Sequence, residues 1–295
     1  MLFALLFGIA FHFLHEEGRC VRGIDFASRT ILRIGVALLG VRITFDQIAG
    51  LGAGPVIMVA VAVAATIGAG VLLARLLGLR PTLGTLTGGA VAICGASAAL
   101  AIASVLPRRA ETDRDTILTV VCVTALSTVA MIFYPALVNA IGFDHIEAGL
   151  FLGGTIHDVA QVVGAGYTIS PETGDVATYV KLLRVALLLP VVLVISLVLA
   201  RRASLGGRRI VALLPFFLIA FAALVAINST GAIPPDLASV LSDISRWCLV
   251  TAVAALGMKT SFKMLILAGW RPVVLMVAET LFIAALVLGG VTLLG

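Results

Sequence analysis

The sequence predicts an all-α membrane protein of about ten transmembrane segments, with an inverted repeat and two broken helices, either discontinuous or re-entrant. Three observations predict it. The 295-residue chain is 61% hydrophobic and only 12% charged, with a mean hydropathy of +1.19, far above that of a soluble domain. Successive apolar runs, each long enough to cross or nearly cross a bilayer, are joined by short polar connections. Two of those runs are interrupted by glycine-rich stretches, opening at Gly88-Gly89 and Gly153-Gly154.

The apolar run from Met1 to Leu14 is shorter than the roughly 20 residues a span needs, and it lacks the basic start and cleavage site of a signal peptide. The chain therefore reads as beginning inside a membrane helix, with part of that helix, and a preceding one, missing. After a polar connection from His15 to Arg22, a helix is expected from Ile24 to Ile43, with Asp25 paired to Arg29 one turn on. Further spans read as Pro55 to Gly78, Thr82 to Leu106, Asp113 to Ala140, Ile146 to Ile169, Val176 to Ala200, Arg209 to Asn228, Leu237 to Lys259 and Pro272 to Leu294. Pro55, Pro81, Pro171 and Pro272 sit at or before starts, where proline is tolerated; Pro135, Pro190 and Pro215 lie inside and predict kinks. Asp113, Asp175 and Asp236 fall where helix N-caps belong. Nothing is long and polar enough for a second domain, so residues 1–295 read as one membrane unit.

Val36 to Phe45 lines up with Val253 to Phe262, and in the same register Gly52 meets Gly269 and Pro55 meets Pro272. The aligned glycines, phenylalanine, proline and Arg42/Lys259 pair exceed what apolar composition alone produces. The copies lie an odd number of segments apart and so enter the membrane from opposite sides, as in the inverted repeats of secondary transporters. Most loop arginines and lysines fall on one side, which the positive-inside rule makes cytoplasmic; the net charge of +5 is therefore topological and predicts no nucleic-acid partner. Arg108, Arg109 and Arg114 join that side only if both glycine-broken segments are re-entrant. Either topology places the breaks at membrane depth.

The first break lies in Gly88-Gly89-Ala90-Val91-Ala92-Ile93-Cys94-Gly95-Ala96-Ser97. Gly88, Gly89 and Gly95 each cost about 1 kcal/mol against alanine in a helix, and broken backbone at membrane depth must line a cavity or find internal partners. A half-helix N-terminus there, at Cys94, Gly95, Ala96 and Ser97, suits an anion. The plainer reading is close helix packing on small residues. The second run, Gly153-Gly154-Thr155-Ile156-His157-Asp158-Val159-Ala160-Gln161, adds ionisable groups whose burial is expensive. On a continuous helix His157 shares a face with Gln161, and Asp158 with Thr155 about 100° away. His157 suits a proton or an anion, and Asp158 suits H⁺ or Na⁺; interhelical hydrogen bonding is the structural alternative. Lys181 can snorkel to the interface, whereas Arg184 lies deeper, roughly 12 Å into its helix. Together they suit a sulfate, sulfonate or carboxylate. Glu279, seven residues into the last span, reads as a second coupling site or as a protonated acid bonded across helices. Cys20, Cys94, Cys122 and Cys248 show no metal-ligand spacing, so no cofactor is expected besides a coupling H⁺ or Na⁺.

The motifs AICGASAALA, GTIHDVAQVVGAG and VKLLRVALLLP, with ILRIGVALLGVRI before and AALGMKTSF after, resemble the YeiH-like family of bacterial inner-membrane proteins, which carries the label sulfate exporter. The resemblance runs the length of the chain. It implies a cytoplasmic-membrane transporter distantly similar to the bile-acid and sodium/proton antiporter superfamily, with inverted five-helix repeats and broken helices, and one further N-terminal hydrophobic segment. It assigns no binding residue. The expected function is a secondary active transporter of a small sulfur-containing anion, with the lipid bilayer as its other partner and homodimerisation left open. The alternatives are an intramembrane enzyme using Cys94 or Ser97 with His157, and a passive anion channel.

Overall fold

The computed structural model describes residues 2–16, 20–50, 52–107, 110–203, 216–259 and 270–294, and all regular structure among them is helical. Helices α1 (Leu2–Ala10) and α2 (Phe13–Glu16) precede a longer run formed by α3 (Val21–Phe26), a π-helical turn (Ala27–Ile31), α4 (Leu32–Leu38) and a 3₁₀ turn (Leu39–Arg42). Then follow α5 (Phe45–Gly50), α6 (Gly54–Leu76), α7 (Pro81–Ala92), α8 (Ala96–Val105) and α9 (Ala110–Ile141). The rest comprises α10 (His145–Thr155), α11 (Val159–Ile169), α12 (Pro171–Ala186), α13 (Leu188–Ala203), α14 (Phe216–Ser229), α15 (Pro235–Lys259) and α16 (Trp270–Leu294). Among the described residues, five stretches are long and apolar enough to cross a membrane: Gly54–Leu76, Arg114–Ile141, Pro171–Val198, Pro235–Lys259 and Trp270–Leu293.

Local chemistry sets the boundaries. The Asp144 side chain accepts from Glu147 N at 2.7 Å and the Glu147 side chain from Asp144 N at 2.9 Å, a reciprocal box that opens α10. Ser170 caps α12 by accepting from Thr173 N at 3.1 Å, with Pro171 in the first turn. That earlier start corrects the assignment of Asp175, which lies inside α12; its carboxylate instead accepts from Arg42 and the Tyr167 hydroxyl. Asp113 likewise falls within α9, and Asp236 in the first turn of α15. Asp25 pairs with Lys259 at 2.6 Å rather than with Arg29, a contact between segments too distant for helical spacing to reveal. Pro135 is accommodated within α9, while the helix containing Pro190 is interrupted at Leu187. Arg108, Arg109, Arg209, Pro215 and the aligned repeat over 260–269 lie outside the described residues.

Packing falls into two groups. In one, α15 packs on α1, α4 and the π-helical turn, and α14 on α4 and the 3₁₀ turn. In the other, α6 packs on α7 and α16, α12 on α10 and α11, and α9 on α8 and α11. The second group is built on close backbone approach. A methyl group on Gly84 would overlap the Gly70 carbonyl of α6, and one on Gly153 would overlap the Ala177 carbonyl of α12. Glycine is required there because any side chain would separate the helices.

Gly84→Leu should therefore destabilise the purified protein in detergent by about 2 kcal/mol or more, on the scale of overpacked cores, seen as a lower thermal midpoint. Gly68→Ala, where nothing lies within 4 Å of the added carbon, should leave the midpoint unchanged or raise it, since alanine is favoured over glycine within a helix. Equal midpoints for the two variants would contradict the packing described.

Candidate functional site

Helix α7 leaves helical geometry at Ile93 (φ −111°, ψ −86°), turns at Gly95 with φ 64°, and α8 starts at Ala96. Gly95 is needed here because a positive φ strains any residue with a Cβ. The second interruption, between α10 and α11, runs through extended Ile156 and Asp158. Each break leaves carbonyls at a helix C-terminus without an intrahelical partner.

One helix serves both ends. Lys181 and Arg184, one turn apart on α12, are 0% and 1% exposed. Arg184 donates from Nη2 to Val91 O at 2.7 Å and from Nε to Ala92 O at 2.8 Å, on the first break. From Nη1 it donates to Gly153 O at 3.0 Å and Ile156 O at 3.1 Å, on the second. Lys181 Nζ donates to Ile93 O at 2.5 Å and Ile156 O at 2.9 Å. The two cations thus tie the C-terminal ends of α7 and α10 together. Their close approach follows from the Gly153 contact, which lets α12 lie against α10.

His157 is fully buried beside them. Its Nδ1 lies 3.1 Å from Val91 O, and because a carbonyl only accepts, Nδ1 carries a hydrogen. Its Nε2 lies 3.1 Å from Thr280 Oγ1 on α16. His157 therefore links the second break to the first and to α16. Asp158 caps α11, its Oδ1 accepting from Ala160 N at 2.9 Å and Gln161 N at 3.4 Å, while its own N–H donates to Ser127 of α9. Gln161 Nε2 donates to Thr128 Oγ1 at 2.8 Å, and its buried Oε1 has no partner.

Among the residues singled out from the sequence, the fold gathers Thr155, His157, Asp158, Gln161, Lys181 and Arg184 around the two breaks. Gly95 lies against His157, 3.8 Å from its Cβ to the position a Gly95 methyl would take. Thr155 turns its hydroxyl to Phe151 O in its own helix. Cys94 is buried, Ala96 half-buried and Ser97 exposed at the start of α8. Both His157 nitrogens face partners other than Cys94 and Ser97, so neither nucleophile is hydrogen-bonded to that base. Glu279 is separate: it is bonded to Thr87 of α7, next in sequence to Thr280. Sequence reading missed Thr280, Thr87 and the Ser127-Thr128 pair. The polar pair in the apolar α9 run, and Thr280 beside Glu279, were the available signals.

The electrostatic balance of the crossing is positive. Among the described residues no carboxylate lies within ion-pair distance of Lys181 or Arg184. Two helix C-termini contribute about −0.5 each and two N-termini about +0.5 each. With Asp158 and the two cations, the crossing retains a net charge of about +1.

Helices interrupted around buried cations, in a chain of this hydropathy with five membrane-length helices, define a multi-pass integral membrane protein. The chain belongs to the family described as Conserved hypothetical protein 698, whose model matches residues 1–276. The YeiH-like motifs of the sequence fit this family. A UPF0324 membrane protein of Chlorobaculum tepidum is 57% identical over 99% of this chain and 82% of its own length. One from Rhizobium meliloti is 54% identical over 100% of this chain and 86% of its own. The UPF0324 membrane protein TauZ of Paracoccus pantotrophus is 50% identical over 100% of this chain and 88% of its own. No solved structure matches the chain.

Removing the guanidinium in Arg184→Leu leaves Ala92 O and Gly153 O without their donors and should destabilise the protein by about 3 kcal/mol or more. Arg184→Lys, which keeps the charge but not the fork, should fall between Leu and the parent. Thermal unfolding and the yield of monodisperse protein measure this; parental stability in the leucine variant would contradict the capping role.

Proposed function

We propose that this protein is a secondary active transporter of a small anion, of the sulfate or organosulfonate class, in the bacterial cytoplasmic membrane. It works by alternating access coupled to H⁺ or Na⁺. In this reading α7/α8 and α10/α11 act as two discontinuous membrane segments, bringing the total to about ten spans, and the Val36 and Val253 segments are inverted-repeat counterparts. The observation that carries it is the buried Lys181–Arg184 pair at the meeting of two helix breaks, with no carboxylate to neutralise it. Beyond capping the carbonyls of the two breaks, a positive site at membrane depth suits an anion or a coupled charge.

The two cations are mostly engaged by carbonyls, so they set the field rather than grip the substrate. The anion's hydrogen bonds come instead from the start of α8. Gly95 offers no side-chain cap there, and Ser97 is exposed. The equivalent end of α11 is already filled by Asp158. The sulfur-anion class rests on the family resemblance, together with the suitability of N–H groups and a guanidinium for tetrahedral oxyanions.

Purified protein reconstituted on a solid-supported membrane and challenged with sulfate, sulfite and taurine should give currents with at least one of them. Those currents should respond to an imposed H⁺ or Na⁺ gradient. Absence of anion flux under either gradient would overturn the proposal, and flux that follows voltage alone would make the protein a channel.

A further inference from the structure

Outside the crossing, one buried acid has a setting that suits neither structural pairing nor metal binding. Glu279 is 0% exposed on α16, where that helix packs against α6 and α7. Its Oε1 lies 2.8 Å from Thr87 Oγ1, and its Oε2 has no hydrogen-bond partner. A methyl group on Gly70 would come within 2.5 Å of Oε1, so the glycine face of α6 makes the space the carboxyl occupies. One turn before Gly70, Thr66 Oγ1 is also buried without a partner.

Hydrogen counting decides which form of the acid fits. Thr87 has one hydroxyl hydrogen, and Leu83 O lies 3.0 Å from that hydroxyl, the usual back-bond within a helix. If the hydroxyl serves Leu83 O, the 2.8 Å contact requires Glu279 to donate, and the carboxyl must hold a proton. If the hydroxyl serves Glu279, a full negative charge would sit in an apolar site with one hydrogen bond and one bare oxygen, a costly arrangement.

The surroundings offer no countercharge. Gly70 of α6 and Thr87 of α7 lie against Glu279, and neither is titratable. On α10 the titratable residues His145 and Glu147 lie in the first turn, and His157 beyond that helix is bonded to Thr280. On α9, Glu111 and Asp115 lie near the start and pair with Arg80. Among the described residues no group of three or more His, Cys, Asp or Glu that could hold a metal ion includes Glu279. Asp158, by contrast, has its carboxylate committed as a helix cap.

We propose that Glu279 carries the coupling proton: it is held as a neutral acid between α6 and α7, and loses its proton only when α16 parts from α7 and lets water in. The inference rests on the transporter reading above and makes its coupling ion H⁺ rather than Na⁺. The proton leaves the carboxyl oxygen for water on one side of the membrane and is replaced from water on the other.

Two measurements test it. Infrared spectra of the purified wild type at neutral pH should show a protonated-carboxyl band that is absent in Glu279→Gln; should that variant not fold, Thr87→Val should shift the band instead. Identical spectra for the wild type and a folded variant would overturn the proposal. In proteoliposomes loaded with labelled sulfate, or with taurine, a gradient of one pH unit sustains a concentration ratio of up to about tenfold per coupled proton. Glu279→Gln should collapse that ratio to about onefold, with any residual flux indifferent to the pH gradient. A full response to the pH gradient in this variant, or wild-type accumulation driven by Na⁺ alone, would overturn the proposal while leaving the transporter reading intact. If the wild type moves neither anion under any gradient, the transporter reading fails, and the infrared comparison alone decides whether Glu279 holds a proton.

Discussion

Carbonyl groups at the end of an interrupted helix cannot be left bare in a low-dielectric interior, and the architecture follows from how this chain partners them. Val91, Ala92 and Ile93 at one break, and Gly153 and Ile156 at the other, all accept from Lys181 or Arg184. Because one pair of side chains serves both breaks, α7 and α10 must end side by side, and α12 must run past both. Glycines on α7 and α10 then permit the close helix contacts that this demands. A satisfied interruption is compatible with stability, whereas an unsatisfied one would cost about 1–3 kcal/mol for each stranded group.

The same constraint explains why the crossing is suited to charge. Helix C-termini are negative and N-termini positive, so two interrupted helices that meet bring all four ends together. Two buried cations overcompensate the C-termini, and Asp158 offsets one N-terminus. The start of α8 is left as the positive end without an acidic cap, with Ser97 exposed on it. His157 fastens this assembly to α16 through Thr280, and the next residue of α16 is Glu279. The crossing and the acid thus both bear on α16, a physical route by which movement of that helix can affect both.

Much of the site was legible in the sequence, because glycine pairs and ionisable residues inside apolar runs are conspicuous. Gly88, Gly153, His157 and Arg184 stand out for that reason alone. Their partners do not, since a backbone carbonyl can come from any residue type; hence Lys181 and Arg184 read as anion ligands when most of their donors face Val91 to Ile93 and Ile156. Long-range pairing is equally silent. Asp25 looked paired to Arg29 by helical spacing but meets Lys259, and Asp175 looked like a cap while Ser170-Pro171, the stronger start signal, opened the helix before it. Segment boundaries were legible where proline fixed them, as at Pro55 and Pro81, and not where π and 3₁₀ turns alter a continuous helix between Ala27 and Arg42.

The central claim is that the start of α8 at the first break faces water rather than lipid. With Cys20, Cys94, Cys122 and Cys248 replaced by alanine, a single Ser97→Cys should react with a membrane-impermeant thiol reagent in intact vesicles, and an excess of a transported anion should slow that reaction. A thiol at position 97 that reacts only with lipid-soluble reagents, and at a rate no anion alters, would contradict it.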